Sequence, residues 1–193
     1  MKFPELETDR LYLIEIGKQH AESLFDILSR EEVTRYGGIE TLLRLEESQR
    51  IIHSFRSSYI NERGIQWGMV LKDTGRFIGT VGLNHLNKSN KRAEIGYEVH
   101  PDYRRKYYTW EAVREVLRFS FHELELHRIA AMAFPHNMPS TNLLKKVGFQ
   151  EEGTLRNFLY FNKESQDVRI FSLLNSEYSA LNSGSLPPAF YRD

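Results

Sequence analysis

Apolar and polar positions along this chain follow two alternating periods, and the places where the period changes outline a mixed α/β domain. Residues 11–16 are a short, mostly apolar run closed by Gly17, as expected of a first strand. Over 20–29 the period lengthens, and Ala21, Leu24, Phe25 and Leu28 fall on one helical face. Gly37 and Gly38 interrupt the chain. A second helix is expected over 42–61, with Leu45, Ile52, Phe55 and Tyr59 along one side. Residues 65–71, 77–86 and 92–99 read as strands joined by turns at Asp73-Thr74-Gly75 and 87–90, which predicts an antiparallel meander ended by Pro101.

Helical spacing returns over 108–123, where Val113, Val116, Leu117 and Phe121, with Leu124 just beyond, make the buried stripe; 128–134 is a compact strand. Strand, helix, strand in that order predicts a crossover and a locally parallel pair. The next helix runs through Leu143-Leu144-Lys145-Lys146-Val147 and stops at Gly148, where a left-handed backbone costs little. Phe149 can then fold back on Leu144 in a Schellman cap, and the lysines suit the negative end of the helix dipole. Residues 155–161 and 168–174 complete the pattern as two strands around Asn162-Lys163-Glu164-Ser165. A single domain is expected over 1–178 and a tail over 179–193, loose from Ser183 onward.

Composition narrows the classes. A chain of 193 residues suffices for one well-buried core, and its 40% apolar and 27% charged residues are ordinary for a globular protein. Lys plus Arg and Asp plus Glu balance at 26 each, so neither nucleic acid nor an anionic membrane is an expected partner. The absence of cysteine excludes disulfides, thiolate catalysis and thiolate zinc sites. The seven histidines show no metal-ligand spacing, and no metal is expected. No stretch suits a signal peptide or a membrane span, so the expected location is cytoplasmic. The many aromatic residues leave room for a homodimer.

Three segments could carry chemistry. Strand alternation over 92–99 puts Glu94, Gly96 and Glu98 on one face and Ala93, Ile95, Tyr97 and Val99 on the other. Carboxylates so placed are commonly solvated or paired. Alternatively one takes a proton from an ammonium nucleophile, and Glu94, deeper in the strand, is the candidate. Arg104-Arg105-Lys106 precede a helix whose dipole they oppose. They form either a solvated turn or, with the free N–H groups of the helix start, an anion site. At the third segment Asn137 or Ser140 caps a helix in which Pro139 is tolerated.

The chain also carries Glu7-Thr8-Asp9-Arg10-Leu11, Phe77-Ile78-Gly79 with Gly82-Leu83, and Ala93-Glu94-Ile95-Gly96-Tyr97-Glu98-Val99-His100-Pro101. Trp110-Glu111-Ala112, Asn137, Ser140 and Lys146-Val147-Gly148-Phe149-Gln150-Glu151-Glu152-Gly153 follow. In this order and spacing they resemble the GNAT superfamily of N-acetyltransferases, and within it the ribosomal-protein N-terminal acetyltransferase branch. The resemblance implies an α/β (α+β) fold with a mixed, strongly bent central sheet flanked by helices, and acetyl-CoA entering a splay between the family's fourth and fifth strands. It implies that backbone groups at Tyr97 and Val99 pair with the pantetheine, and that Arg104, Arg105, Lys106, Tyr107, Tyr108 and Thr109 form the pyrophosphate loop. Asn137 would lie near the cofactor arm. The implied reaction moves an acetyl group to a primary amine, of a protein N-terminus or a small molecule, by direct attack.

The resemblance is not complete. Many members use a tyrosine to protonate the leaving thiolate where this chain has Leu144; the resemblance to the ribosomal-protein branch implies a serine in that role, at Ser140. The loop glycines fall on Tyr107 and Thr109. Tyr107 therefore opens an alternative reading, a catalytically silent binding protein of the same fold. Residues 32–61 are expected to wall the acceptor, with Tyr36 as an aromatic liner, while Trp67 is expected to pack in the core.

Overall fold

The computed structural model describes residues 2–161 and 163–182; Asn162 and the expected loose tail from Ser183 lie outside the described residues. The chain runs β1 (Leu6–Glu7), β2 (Leu11–Glu15), α1 (Ala21–Leu28), α2 (Glu31–Gly37), α3 (Leu45–Ile60), β3 (Ile65–Leu71) and β4 (Phe77–Asn87). It continues through β5 (Arg92–Val99), α4 (Tyr108–His122), β6 (Arg128–Ala133), α5 (Met138–Val147), β7 (Gln150–Phe161), β8 (Glu164–Leu174) and α6 (Asn175–Asn182). One open mixed sheet has the order β1-β2-β3-β4-β5-β6-β8-β7. Every neighbouring pair is antiparallel except β5 with β6, which the α4 crossover makes parallel.

Period-two alternation in the strands sorts side chains onto two apolar layers. On one face Leu11, Leu13, Trp67, Met69, Val81 and Leu83 pack with Val113, Val116 and Leu117 of α4. Trp67 is fully buried, stands edge-on to Phe119 at 5.7 Å and donates its indole N–H to the Pro4 carbonyl at 2.6 Å. It is a core residue whose one polar atom is satisfied. The opposite layer gathers Leu24, Ile27 and Leu28 of α1 with Ile52 of α3 and Phe77. Ser48 is buried inside α3, and its hydroxyl donates across to the Ala21 carbonyl at 2.9 Å.

Several elements differ from the sequence pattern. The short helix α2 and the C-terminal α6 lack a strong apolar period, and α6 carries the chain past 178 to Asn182. Strands β7 and β8 begin earlier than expected, at Gln150 and Glu164, because β7 is an edge strand exposed along most of both faces. Polar residues cannot mark such a strand by alternation. The Schellman cap is present: Gly148 N–H donates to Lys145 O at 3.1 Å, and Phe149 N–H donates to Leu144 O at 3.0 Å.

Gly148 holds φ at +110°, and an added methyl would meet the Leu181 side chain. Gly148→Ala should therefore cost about 1–2 kcal/mol in backbone conformation alone. A thermal melt should fall by about 2–4 °C for each kcal/mol, and an unchanged melt would show that the cap does not constrain α5.

Candidate active site

The sheet opens where β5 and β6 part. Their parallel register covers Arg92↔Arg128, Ala93↔Ile129 and Glu94↔Ala130 and then stops, while β5 stays paired with β4 as far as Val99. From Ile95 onward one edge of β5 is thus without a neighbouring strand. Tyr97 and Val99 lie on this free edge, with their side chains toward α4 and α5. Just beyond, His100 is buried; its Nδ1 accepts from Asp102 N–H at 3.2 Å. Its Nε2 stands 3.2 Å from Asp26 Oδ2 without hydrogen-bond alignment, a contact that faces the strand end toward α1.

The basic loop leads from this edge into α4. Among the described residues, the N–H groups of 105–109 donate to no protein acceptor, so the positive end of a 15-residue helix is left with open donors. Arg105 and Tyr107 both adopt left-handed backbone, at φ +59° and +64°. Glu111 braces the loop from behind. Its carboxylate accepts from Thr8 Oγ1, from Arg10 N at 2.8 Å and from Arg10 Nε at 2.7 Å. Burial pushes this carboxyl up, but the hydrogen bonds from Thr8 and Arg10 outweigh that and hold it below the ordinary range. Arg10 also donates to the Lys106 carbonyl at 3.1 Å and lies over the Tyr108 ring at 4.4 Å.

Across the opening stands the start of α5. Asn137 caps it, its side-chain oxygen accepting from Ser140 N at 3.2 Å. The Ser140 hydroxyl meets the Tyr97 hydroxyl at 2.9 Å, so these two side chains bridge the gap between β5 and the first turn of α5. Burial, and to a smaller extent the neighbouring Glu98 charge, push the Tyr97 phenol up to about 12 despite the Ser140 hydrogen bond.

The two carboxylates of β5 meet different environments on the other face. Glu94 is paired with the exposed His85, Oε2 to Nδ1, at 3.0 Å. Glu98 has no basic side chain within ion-pair distance among the described residues. Burial raises its carboxyl above the ordinary range, and a 2.6 Å hydrogen bond from Thr80 only partly offsets this. Glu98 lies beside Gly37, and Gly38 on the far side approaches Phe134 and Leu159. There a cavity of about 170 Å³ is lined by Arg35, Phe134, His136, Phe161, Glu164 and Gln166. Tyr36 lies at its border, 5.7 Å from the His136 ring and beneath the Arg35 guanidinium.

Over residues 10–150 the chain matches the acetyltransferase (GNAT) domain family. It belongs to that family. It is 42% identical over 172 residues to the "Uncharacterized N-acetyltransferase YoaA" of Bacillus subtilis (strain 168), covering 89% of this chain and 97% of that protein. It is 25% identical over 114 residues to the [Ribosomal protein uS5]-alanine N-acetyltransferase of Escherichia coli (strain K12), covering 58% and 59% of the two chains. The fold superposes with a TM-score of 0.78 on spermidine N-acetyltransferase from Vibrio cholerae in complex with CoA and spermine, at 21% identity over 88% of this chain and 98% of that one. These likenesses do not set the ribosomal-protein branch apart from other GNAT branches.

As a GNAT domain, the chain has its splay between β5 and β6, the fourth and fifth strands when the two-residue β1 is left out of the count. Of the residues singled out from the sequence, Tyr97, Val99, Asn137, Ser140 and the 104–109 loop border this opening. Arg104 is engaged elsewhere: its guanidinium donates to the Glu32 carbonyl at 2.9 Å. Arg105 and Lys106 remain exposed with no carboxylate partner among the described residues. Glu94 sits at the closed end, where the strands still pair. Leu144, at the family's tyrosine position, is buried in the core and contributes no polar group. Tyr107 does take the left-handed backbone that favours glycine, and its half-exposed ring lies beside Lys146 of α5, whose Nζ is 4.6 Å from the ring centroid. The direct tie between Thr8, Arg10 and Glu111 spans 103 and 101 positions and has no signal in residue spacing; only the co-occurrence of both fragments in one family pattern points to it. Among the described residues no group of three or more acidic or histidine side chains could hold a metal, and no helix is long and apolar enough to cross a membrane.

The raised Glu98 carboxyl has a stability consequence with a definite sign. With its folded pKa above its unfolded value, the native state binds the extra proton between the two values, and stability falls as pH rises through that window. Glu98→Gln should therefore raise the melting temperature at neutral pH by roughly 2–4 °C for each kcal/mol relieved. The gain should vanish at pH values where Glu98 is protonated in both states. Equal melting curves at neutral pH would show that Glu98 is not desolvated.

Proposed function

We propose that this chain transfers the acetyl group of acetyl-CoA to a primary amine by direct attack. The observation that carries the reading is the unpaired edge of β5 at Tyr97 to Val99, leading straight to the open N–H donors of the α4 start. An extended arm ending in phosphates needs a strand-like row of backbone groups followed by an anion site. The Tyr97 and Val99 backbone would pair with the pantetheine. Arg105, Lys106 and the amides of 105–109 would hold the pyrophosphate, and Asn137 would border the arm. Arg104 is the loop's anchor to α2 rather than a phosphate ligand. Tyr107 is compatible with this because its backbone already takes the left-handed form that glycine favours in such a loop.

Glu98 takes the place of Glu94 as the base. It faces the Gly37–Gly38 side, where the cavity among Phe134, His136 and Phe161 would receive the acceptor. Its raised affinity for protons suits it to take one from an ammonium near neutral pH. The likenesses to enzymes named for a ribosomal protein and for spermidine support an amine acceptor without choosing between those classes. A cytoplasmic setting fits both.

Calorimetric titration with acetyl-CoA should give saturable binding that weakens as salt is raised. Tyr107→Gly should leave the affinity within about threefold, since the left-handed backbone that glycine favours is already in place. No heat with millimolar acetyl-CoA would favour the silent binding protein, and a tenfold gain in Tyr107→Gly would show that the ring obstructs the loop. With any accepted amine, Glu98→Gln should lower turnover about 100-fold near neutral pH and far less at high pH, where the amine deprotonates unaided. Glu94→Gln should stay close to wild type; the reverse ranking would restore Glu94 as the base.

A further inference from the structure

The end of α5 that faces the opening has an unusual donor inventory. Met138 N–H donates to the His136 carbonyl at 3.0 Å, and Pro139 has no N–H to give. Ser140 N–H is taken by the Asn137 side chain at 3.2 Å, and Thr141 N–H by the Asn137 carbonyl at 3.1 Å. Every amide of this first turn is thus spent inside the protein, unlike the open amides at the start of α4. Two hydroxyls remain at the positive end of α5: that of Thr141 is buried without a partner, whereas that of Ser140 is only partly buried and has Tyr97 as its described side-chain partner, reached across the splay at 2.9 Å.

Hydroxyls have one donor each, so the direction of that bond decides what Ser140 can offer. If Ser140 donated to Tyr97, its proton would be consumed. Resting on the acetyl-transfer reading above, we propose that the Tyr97 side chain is a positioning residue that donates its hydrogen bond to Ser140 Oγ and so leaves the Ser140 proton free to stabilise the departing CoA sulfur. The phenol's pKa of about 12 keeps Tyr97 protonated and able to donate throughout the working range. It also excludes Tyr97 as a source of protons for the sulfur, because an ordinary thiol has a pKa of only about 8.5 and its thiolate is far more stable than this phenolate. In the step itself the neutral amine, whose ammonium proton Glu98 has already taken and passed to solvent, forms its bond to the acetyl carbon and the carbon–sulfur bond breaks. The electron pair goes to sulfur, which accepts the Ser140 hydrogen bond, and the amine proton goes to Glu98. Ser140 and Tyr97 keep their own protons. The pair thus does the work that Leu144 cannot do, by hydrogen bonding rather than by acid transfer.

The test needs no acceptor. The thiol of CoA bound to the protein is titrated against pH by the ultraviolet absorbance of its thiolate, with free CoA as reference. In the wild-type complex the thiol pKa should lie about one unit below that of free CoA, a tenfold larger thiolate share at pH values below both. Ser140→Ala should abolish the shift. Tyr97→Phe keeps the ring and its packing but should lose at least half of the shift. The double variant should match Ser140→Ala alone, and Ser140→Thr, which keeps a hydroxyl, should preserve the wild-type value. A Tyr97→Phe complex that titrates like wild type overturns the positioning role, as does an unshifted thiol in wild type that binds CoA. Absence of CoA binding altogether overturns the acetyl-transfer reading itself, and this inference with it.

Discussion

Three residue pairs of parallel register between β5 and β6 hold the halves of the sheet together, and the site exists because there are only three. Either strand can leave the other without losing the sheet. β5 remains paired with β4 up to Val99 opposite Gly79, and β6 remains paired with β8 up to Ala133 opposite Arg169. The separation therefore exposes backbone donors and acceptors along one edge without unfolding either strand. Such groups are costly when buried unpaired and tolerable where solvent or an extended ligand reaches them. The α4 crossover sets the geometry at the closed end by forcing β6 to run parallel to β5, and the opening widens from there toward the C-terminal ends of both strands.

The loop at that wide end holds left-handed backbone at two non-glycine residues, Arg105 and Tyr107, each a conformation that costs on the order of 1–2 kcal/mol. Such strain persists when surrounding contacts over-determine it. Here they come from far away in sequence: Thr8 and Arg10 grip Glu111 in the first turn of α4, Arg10 adds a bond to the Lys106 carbonyl, and Arg104 ties the loop to Glu32. The same grip explains how a basic loop can precede a helix whose dipole it opposes. Glu111 supplies the negative charge that the helix start favours, and the open amides keep their donors for an anion.

Much of the fold was legible because its central elements are amphipathic. The stripe of α4, the alternation of β3 to β5 and the Gly148 cap each follow from residue spacing. The edge elements were legible only in part: 155–161 of β7 reads as a strand, but its start at 150–154 is polar and exposed, and α2 is too short for a period to emerge. The resemblance pointed to the splay, but the roles within it depend on surroundings that spacing does not report. Glu94 and Glu98 share a strand face and look equivalent in sequence, yet one meets exposed His85 and the other a Thr80 hydroxyl in a desolvated setting. That difference comes from strand registers and from α2 packing over β5. The Tyr97–Ser140 bridge joins side chains 43 positions apart and has no local signal at all.

Strand geometry gives the proposed reaction a simple division of labour. Tyr97 and Glu98 are consecutive residues on β5, so their side chains point to opposite faces while their shared backbone borders the opening. One face looks toward α2 and the acceptor cavity, the other toward α5. Burial acts on both groups in the same direction and with opposite usefulness: it makes the carboxylate a better proton acceptor, and it makes the phenol hold its proton and serve only as a donor. Each reinforces the other, since a charged Glu98 further disfavours ionisation of Tyr97. When Glu98 takes the amine proton that charge is neutralised, but burial alone still keeps Tyr97 protonated, so its bond to Ser140 survives the step. The base can therefore change its charge on one face of the strand without disturbing the hydroxyl pair that faces the leaving sulfur on the other.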